Sequence, residues 1–225
     1  MAAGEGMRLR PLTERWPKPV LPIDGRPVLA TLLHELRAAG CARTWVVTGH
    51  LAEQVERLVG DGAVFGLDVR TTRQPGVLGS ADAVKRALED GATPPCLVLA
   101  ADTVFRPGDV GRVREAFAAS GAAGAIAVRR DPPPGPGRRV VEVRDGRVLR
   151  IREGEGPLSG APLWGLGGEL IAHLCVDRPP YELDNAYRAA LEAGETIVAV
   201  EIGKTRDLTD PLDLVEENFP YLRAT

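Results

Sequence analysis

Aromatic residues make up only 4% of the 225 residues, so any core must be built from Val, Leu, Ile and Ala rather than around Phe and Trp. A basic excess is also absent. Lys and Arg number 28 against 31 Asp and Glu, a formal net charge of −3. That balance excludes a general nucleic-acid binder, and it means that any anionic ligand must be held by local groups. Cysteine is scarce: Cys41, Cys96 and Cys175 stand far apart with no CxxC spacing, and they read as small core residues in a reducing compartment. No run approaches the ~18 apolar residues of a membrane span. The opening MAAGEGMRLR has no signal-type apolar stretch. A cytoplasmic protein without membrane or nucleic-acid partners is expected. His34, His50 and His173 lack neighbours at metal spacing and read as structural or solvated. No Ser/His/Asp or Cys/His arrangement suggests a covalent nucleophile.

Hydrophobic residues reach 44%, enough for a sizeable core. The first half alternates strand and helix signals. Helices are expected over 27–39, 52–59, 80–88 and 110–119 from apolar spacing and terminal glycines. Strands are expected over 45–48, 67–72, 96–101 and 124–128. The continuous run Cys96 to Ala101 suits a strand buried on both faces of a parallel sheet. In the second half, Asp131 to Gly137 is a Pro/Gly loop, and Asp145-Gly146 between 139–143 and 147–151 is a hairpin signal. Strands at 162–166 and 196–202 and helices at 184–193 and 211–218 complete the pattern. It predicts a Rossmann-like doubly wound mixed sheet in a single domain, 1–225. The glycine loop at Ala2 to Gly6 opens the chain with no strand before it. That strand is expected to be missing or reduced to Met1, as if the start were an internal methionine of a longer chain.

The densest chemical cluster is Gly4-Glu5-Gly6-Met7-Arg8-Leu9-Arg10, followed by Pro17-Lys18-Pro19. Glycines let backbone N–H groups approach phosphate. Arg8 and Arg10 add charge suited to bidentate phosphate contact, and the flanking prolines stiffen Lys18. The loop is neither a Walker A motif nor the dinucleotide fingerprint. Asp102 ends an apolar run, where ligands of open α/β sheets bind, and a lone acid there can reach Mg2+. Asp207 also follows a strand. Asp210 before Pro211 is better read as a helix N-cap. Gln74 can read a base edge, Gly79 can let a base stack close, and Ser80 can cap a helix.

These residues resemble the signature of the sugar-1-phosphate nucleotidyltransferases, the NDP-sugar pyrophosphorylases, of the short single-domain type. The likeness runs from Ala2 through Thr13 and Lys18 to Ile23. It continues through Gly25 to Val28, His50 to Val55, Gln74 with Leu78 to Ala81, and Asp102, and ends at Asp207 with Pro211 and Asp213-Leu214. The resemblance implies that Ala3, Gly4 and Gly6 hold the nucleotide and Arg8 the triphosphate, with Lys18 on the phosphates at the reacting centre. It also implies Gln74 and Gly79 at the base, Asp102 and Asp207 on Mg2+, and Glu153 at the sugar phosphate. Residues 1–130 would form the nucleotide half and 131–225 the sugar-phosphate half. The chain departs from the family pattern at Met7, at Ala101 and after Glu153, where the usual Lys is replaced by Gly154-Glu155-Gly156. The implied reaction joins a nucleoside triphosphate to a sugar 1-phosphate and releases pyrophosphate, with base, sugar and subunit number left open. The alternatives are a non-catalytic nucleotide-binding protein of the same fold and a transferase for another phosphorylated alcohol such as choline phosphate. A glycosyltransferase is disfavoured because Asp102-Thr103-Val104 is not an Asp-x-Asp motif.

Overall fold

The computed structural model describes residues 1–76, 78–130, 139–174 and 181–219. In chain order the elements are β1 (Pro22–Ile23), β2 (Arg26–Pro27), α1 (Val28–Ala38), β3 (Arg43–Thr48), α2 (Ala52–Val59), β4 (Asp68–Arg73), α3 (Ser80–Glu89), β5 (Cys96–Leu99), β6 (Thr103–Val104) and α4 (Asp109–Ser120). Then follow β7 (Gly124–Arg129), β8 (Arg139–Arg144), β9 (Arg147–Glu153), β10 (Ser159–Leu166), α5 (Leu183–Glu192), β11 (Ile197–Glu201), β12 (Arg206–Asp207) and α6 (Pro211–Asn218). The Pro/Gly loop expected over 131–137 and Cys175 lie outside the described residues.

Local chemistry explains several boundaries. In α1 the buried Leu29, Leu32, Leu33 and Leu36 recur at helical spacing and form the core-facing stripe. The final helix begins where Asp210 accepts from the Leu212 and Asp213 amides, with Pro211 in the first turn and Asp213 returning the cap. The β8–β9 turn holds Asp145 at φ 50° and Gly146 at φ 74°, both left-handed, as a type I′ hairpin requires.

A six-stranded sheet runs in the order β5-β10-β7-β11-β9-β8, and β3 pairs with β4 in a separate two-stranded sheet. Pairs β3–β4 and β7–β11 are parallel, and the others in these two sheets are antiparallel. The architecture is therefore the expected mixed α/β sheet. The Cys96–Ala101 run departs from expectation. Only Cys96–Leu99 is strand, and its partner is β10, antiparallel. Apolar continuity reports burial and not strand direction, so it could not distinguish the two arrangements. The central strand β10 is longer than its apolar stretch 162–166, because Ser159 and Ala161 are buried as well.

The first two residues stitch the sheets together. The Met1 amino group donates to Leu99 O at 2.8 Å, and the Ala101 amide donates to Met1 O at 2.9 Å. On the other side the Ala2 amide donates to Val47 O at 2.7 Å, and Ala2 forms a parallel bridge with Thr48. Burial pulls the Met1 ammonium down to about 6 from its ordinary 8.0, partly offset by the charge of Asp102. Behind Met1 the walls formed by β3 and β5 stay apart, and a cavity of about 750 Å³ opens between them. Leu33, Val46, Ala87, Leu97, Leu99 and Phe117 line it.

Candidate active site

The glycine loop leaves the seam between β3 and β5 at their carboxyl ends, the position where open α/β sheets bind ligands. Ala3 is held at the seam by the His50 amide, which donates to Ala3 O at 3.2 Å. Gly4 is exposed. Gly6 is left-handed at φ 63°, and a Cβ there would stand 2.9 Å from Thr13 Cγ2 and 3.5 Å from Lys18 Cβ. The loop is locked to the following segment where Thr13 Oγ1 donates to Gly6 O at 2.9 Å and His50 Nε2 meets Thr13 O at 2.6 Å. His50 is structural here, as its spacing suggested. Gly6 therefore delivers the loop directly beside Lys18.

Lys18 Nζ donates to Asp102 Oδ2 at 2.5 Å. Beyond it, Thr103 Oγ1 donates to Asp207 Oδ1 at 2.5 Å, and Thr205 Oγ1 donates to Asp207 Oδ2 at 2.8 Å. Arg129 Nη1 adds a bond to the same oxygen at 3.3 Å. The small antiparallel pair of β6 and β12, with Thr103 opposite Asp207, aligns these groups. Gly6 thus stands beside Lys18, Lys18 bonds Asp102, and the next residue along the chain, Thr103, bonds Asp207. Arg129, Thr103 and Thr205 were not singled out from the sequence. Arg129 was the detectable one: it ends β7, whose residues are all buried, and a buried guanidinium demands a carboxylate partner. Burial pushes its pKa down while Asp207 pushes it up, with a net lowering.

A divalent cation fits this donor set. Mg2+ takes one or two carboxylates and completes its shell with water and phosphate oxygens. Asp102 Oδ1 lies 3.5 Å from Thr103 Oγ1, whose proton is committed to Asp207, so that oxygen is open. Asp207 Oδ1 accepts one bond and keeps a lone pair. Among the described residues no group of three or more His, Cys, Asp or Glu could hold a metal.

Gln74 and Gly79 sit beside this network. The Gln74 amide donates to Thr48 O at 2.8 Å, next to the Ala2 bridge. Its side-chain nitrogen donates to Gly79 O at 3.0 Å and Asp82 Oδ2 at 2.8 Å. Asp82 is buried and also accepts from Arg86 Nε at 2.7 Å. Burial alone would raise the Asp82 carboxyl, but the bonds from Arg86 and Gln74 outweigh it and hold the group below its ordinary 3.8. The folded carboxylate then takes up a proton less readily than the unfolded one. Its stabilisation is present above pH ~4 and lost as pH falls through the lower folded value. Asp82→Asn is expected to lower stability at pH 7 by about 1–2 kcal/mol and to flatten the acid limb. Melting curves from pH 2 to 7 that stay parallel in variant and wild type would contradict this.

Gly79 has a further duty. Its φ is 103°, and a Cβ would fall 2.5 Å from Tyr181 O. The Tyr181 amide donates to Leu78 O at 2.8 Å, and the Ala81 amide to Tyr181 O at 2.6 Å. Gly79→Ala is expected to cost about 1–3 kcal/mol, seen as a lower denaturant midpoint at unchanged slope. Glu153 lies elsewhere. It pairs in register with Arg139, whose guanidinium reaches Asp184 and Glu182. Glu182 in turn accepts from Ser80 Oγ at 2.7 Å. Glu153 itself is exposed at the end of β9. Arg8 is exposed and, among the described residues, makes no ion pair, whereas Arg10 pairs with Glu5 at 3.2 Å.

Comparison with known proteins identifies the family. The sequence profile of the nucleotidyl transferase family matches residues 1–154. The chain is 36% identical over 157 residues to the bifunctional protein GlmU of Paracidovorax citrulli, covering 68% of this chain and 31% of that protein. It is 30% identical over 235 residues to a glucose-1-phosphate thymidylyltransferase of Streptomyces griseus, covering all of this chain and 66% of that one. The chain therefore spans about one third to two thirds of these relatives' lengths. A crystal structure of UDP-glucose pyrophosphorylase complexed with UDP-glucose shares the fold, with a TM-score of 0.82 at 19% identity over all of this chain and 97% of that one. Among the described residues no helix is long and apolar enough to cross a membrane. With the family profile covering the glycine loop, Lys18 and Asp102 alike, the chain belongs to the nucleotidyl transferase family.

Proposed function

We propose that this chain condenses a nucleoside triphosphate with a sugar 1-phosphate, giving an NDP-sugar and pyrophosphate. The observation that carries the reading is the clustering of the Gly4–Gly6 loop, the Lys18–Asp102 pair and the Thr103–Asp207 pair, at the carboxyl ends of the strands flanking the seam. The names of the relatives, a glucose-1-phosphate thymidylyltransferase among them, support the same class of reaction. In this reading Ala3, Gly4 and Gly6 present backbone N–H groups to the triphosphate, and Arg8, exposed and without an ion pair among the described residues, closes on it from solvent. Gln74 and Gly79 flank the base. Glu153 and residues 131–225 serve the sugar phosphate, and residues 1–130 the nucleotide.

The attacking sugar phosphate is already anionic, so no general base is required. The barrier is repulsion between two polyanions, and Lys18 acts by neutralisation and alignment at the α-phosphorus. Asp102 and Asp207 would hold Mg2+, which supplies further charge neutralisation when bound. Asp102 also keeps Lys18 extended toward the loop until phosphate competes for the ammonium. The test is a matrix of nucleoside triphosphates, pyrimidines first, against sugar 1-phosphates and phosphocholine, scored by pyrophosphate release. Nucleotide binding with no pyrophosphate from any pair would replace this reading with a non-catalytic one.

A further inference from the structure

We propose that Arg129 is a positioning residue that makes divalent-cation binding conditional on nucleotide: it keeps Asp207 neutralised in the free protein, so a cation is held only when a polyphosphate draws Lys18 away from Asp102. The inference rests on the reaction proposed above and adds the order in which its charged parts come together. Each carboxylate at the site already has a cation of its own. Lys18 Nζ stands 2.5 Å from Asp102 Oδ2, and Arg129 Nη1 stands 3.3 Å from Asp207 Oδ2. The two acids and their two bases cancel, so the pair of carboxylates has no net charge to offer. The Met1 ammonium also feels Asp102, but burial pulls it down to about 6, so at pH 8 it is largely neutral. Mg2+ gives up its water reluctantly, and a neutralised pair of carboxylates repays little of that cost.

The two counter-ions differ in whether they can leave. Lys18 lies beside Gly6, and its pair with Asp102 is only part-buried. Its ammonium sits at the end of a flexible four-carbon stem. A phosphate at the glycine loop can therefore take that ammonium and bare Asp102. Arg129 cannot follow. It ends β7, every residue of which is buried, and a buried guanidinium does not abandon its carboxylate cheaply. The neutralisation of Asp102 is thus transferable, and that of Asp207 is permanent. Arg129 also orients the carboxylate. Together with Thr205 Oγ1 it takes Oδ2. Oδ1 is left to Thr103 Oγ1, which also stands 3.5 Å from Asp102 Oδ1. The two oxygens open to a cation therefore flank one hydroxyl. Such coupling is reciprocal: whatever factor nucleotide adds to cation affinity, the cation adds to nucleotide affinity.

The test follows Mn2+ binding by electron paramagnetic resonance at pH 8. It compares the parent, Arg129→Gln, Arg129→Lys, and Arg129→Gln combined with Asp102→Asn. Gln keeps a hydrogen-bond donor and drops the charge, whereas Lys keeps the charge. Without nucleotide, Arg129→Gln is expected to hold Mn2+ about tenfold more tightly than the parent. Arg129→Lys should match the parent, and the double variant should fall back to the parent's level. Adding the nucleotide bound best in the matrix, with correction for Mn2+ on free nucleotide, should tighten the parent more than Arg129→Gln. Equal or weaker Mn2+ affinity in Arg129→Gln would overturn the proposal. So would a rise shared by Gln and Lys, which would assign the effect to packing, or one that survives Asp102→Asn, which would put the ion elsewhere. A parent that holds Mn2+ equally with and without nucleotide would overturn it whatever the variants do. The titrations need no acceptor and no turnover, so failure here and failure of the proposed reaction are separable.

Discussion

Asp102→Asn is expected to reduce pyrophosphate release about a hundredfold while leaving the melting temperature within a few degrees of the parent. The two halves of that expectation have different physical roots. Asp102 has a side chain one-third exposed, and its bond to Lys18 is only part-buried. Such a pair contributes at most about 1 kcal/mol to stability. In the proposed reaction the same carboxylate would have more to do, because it would anchor cationic charge where two phosphates meet. Removing one such preorganised electrostatic contact typically costs ~3 kcal/mol, or about a hundredfold in rate. Lys18→Met should cost a similar factor. The two groups act as a unit, so the double variant is expected to lie close to the worse single variant instead of multiplying their losses. Parent-level turnover in Asp102→Asn, or fully multiplicative losses in the double variant, would separate Asp102 and Lys18 into unrelated roles.

Legibility in the sequence followed the range of the interaction. Helices 52–59 and 211–218 were readable to the residue because their signals are local: apolar spacing and Gly60 for the first, Asp210-Pro211 for the second. The Asp145-Gly146 hairpin was readable for the same reason. Glycine loop, Lys18, Asp102 and Asp207 were each legible as candidates, through spacing and resemblance, but their juxtaposition was not. It depends on β6 and β12, two residues each and about a hundred positions apart, too short to show any periodicity. Arg129 escaped because the strand was read as ending at Val128, one residue before the guanidinium that faces Asp207. The direction of β5 escaped because an apolar run carries no information on whether its partner is parallel. Gln74 and Gly79 were read as contacts to a base, and the structure gives each a structural duty: Gln74 ties Asp82, and Gly79 gives passage to the Tyr181 backbone.

Asp207 should behave unlike Asp102, because its partner is buried. Arg129 is only 7% exposed, and Asp207 supplies its carboxylate from a side chain 14% exposed. Arg129 reaches Asp207 through Nη1, and among the described residues its buried Nε has no hydrogen-bond partner. Deleting the carboxylate strands a guanidinium in a low-dielectric setting, for which the typical penalty is ~3–5 kcal/mol. Asp207→Ala is therefore expected to lower Tm by roughly 10 °C in a chain of this size, as well as to reduce turnover. Stability loss alone could explain a dead enzyme, so the informative variant is the double one. Arg129→Met in the Asp207→Ala background removes the stranded charge and fills much of the same volume, and should restore most of the lost stability. Pyrophosphate release should stay low, since the second carboxylate for the cation is still gone. Recovery of both properties would reduce Asp207 to a counter-ion for Arg129. Recovery of neither would place the cost in the Thr103 and Thr205 bonds that Asp207 also accepts.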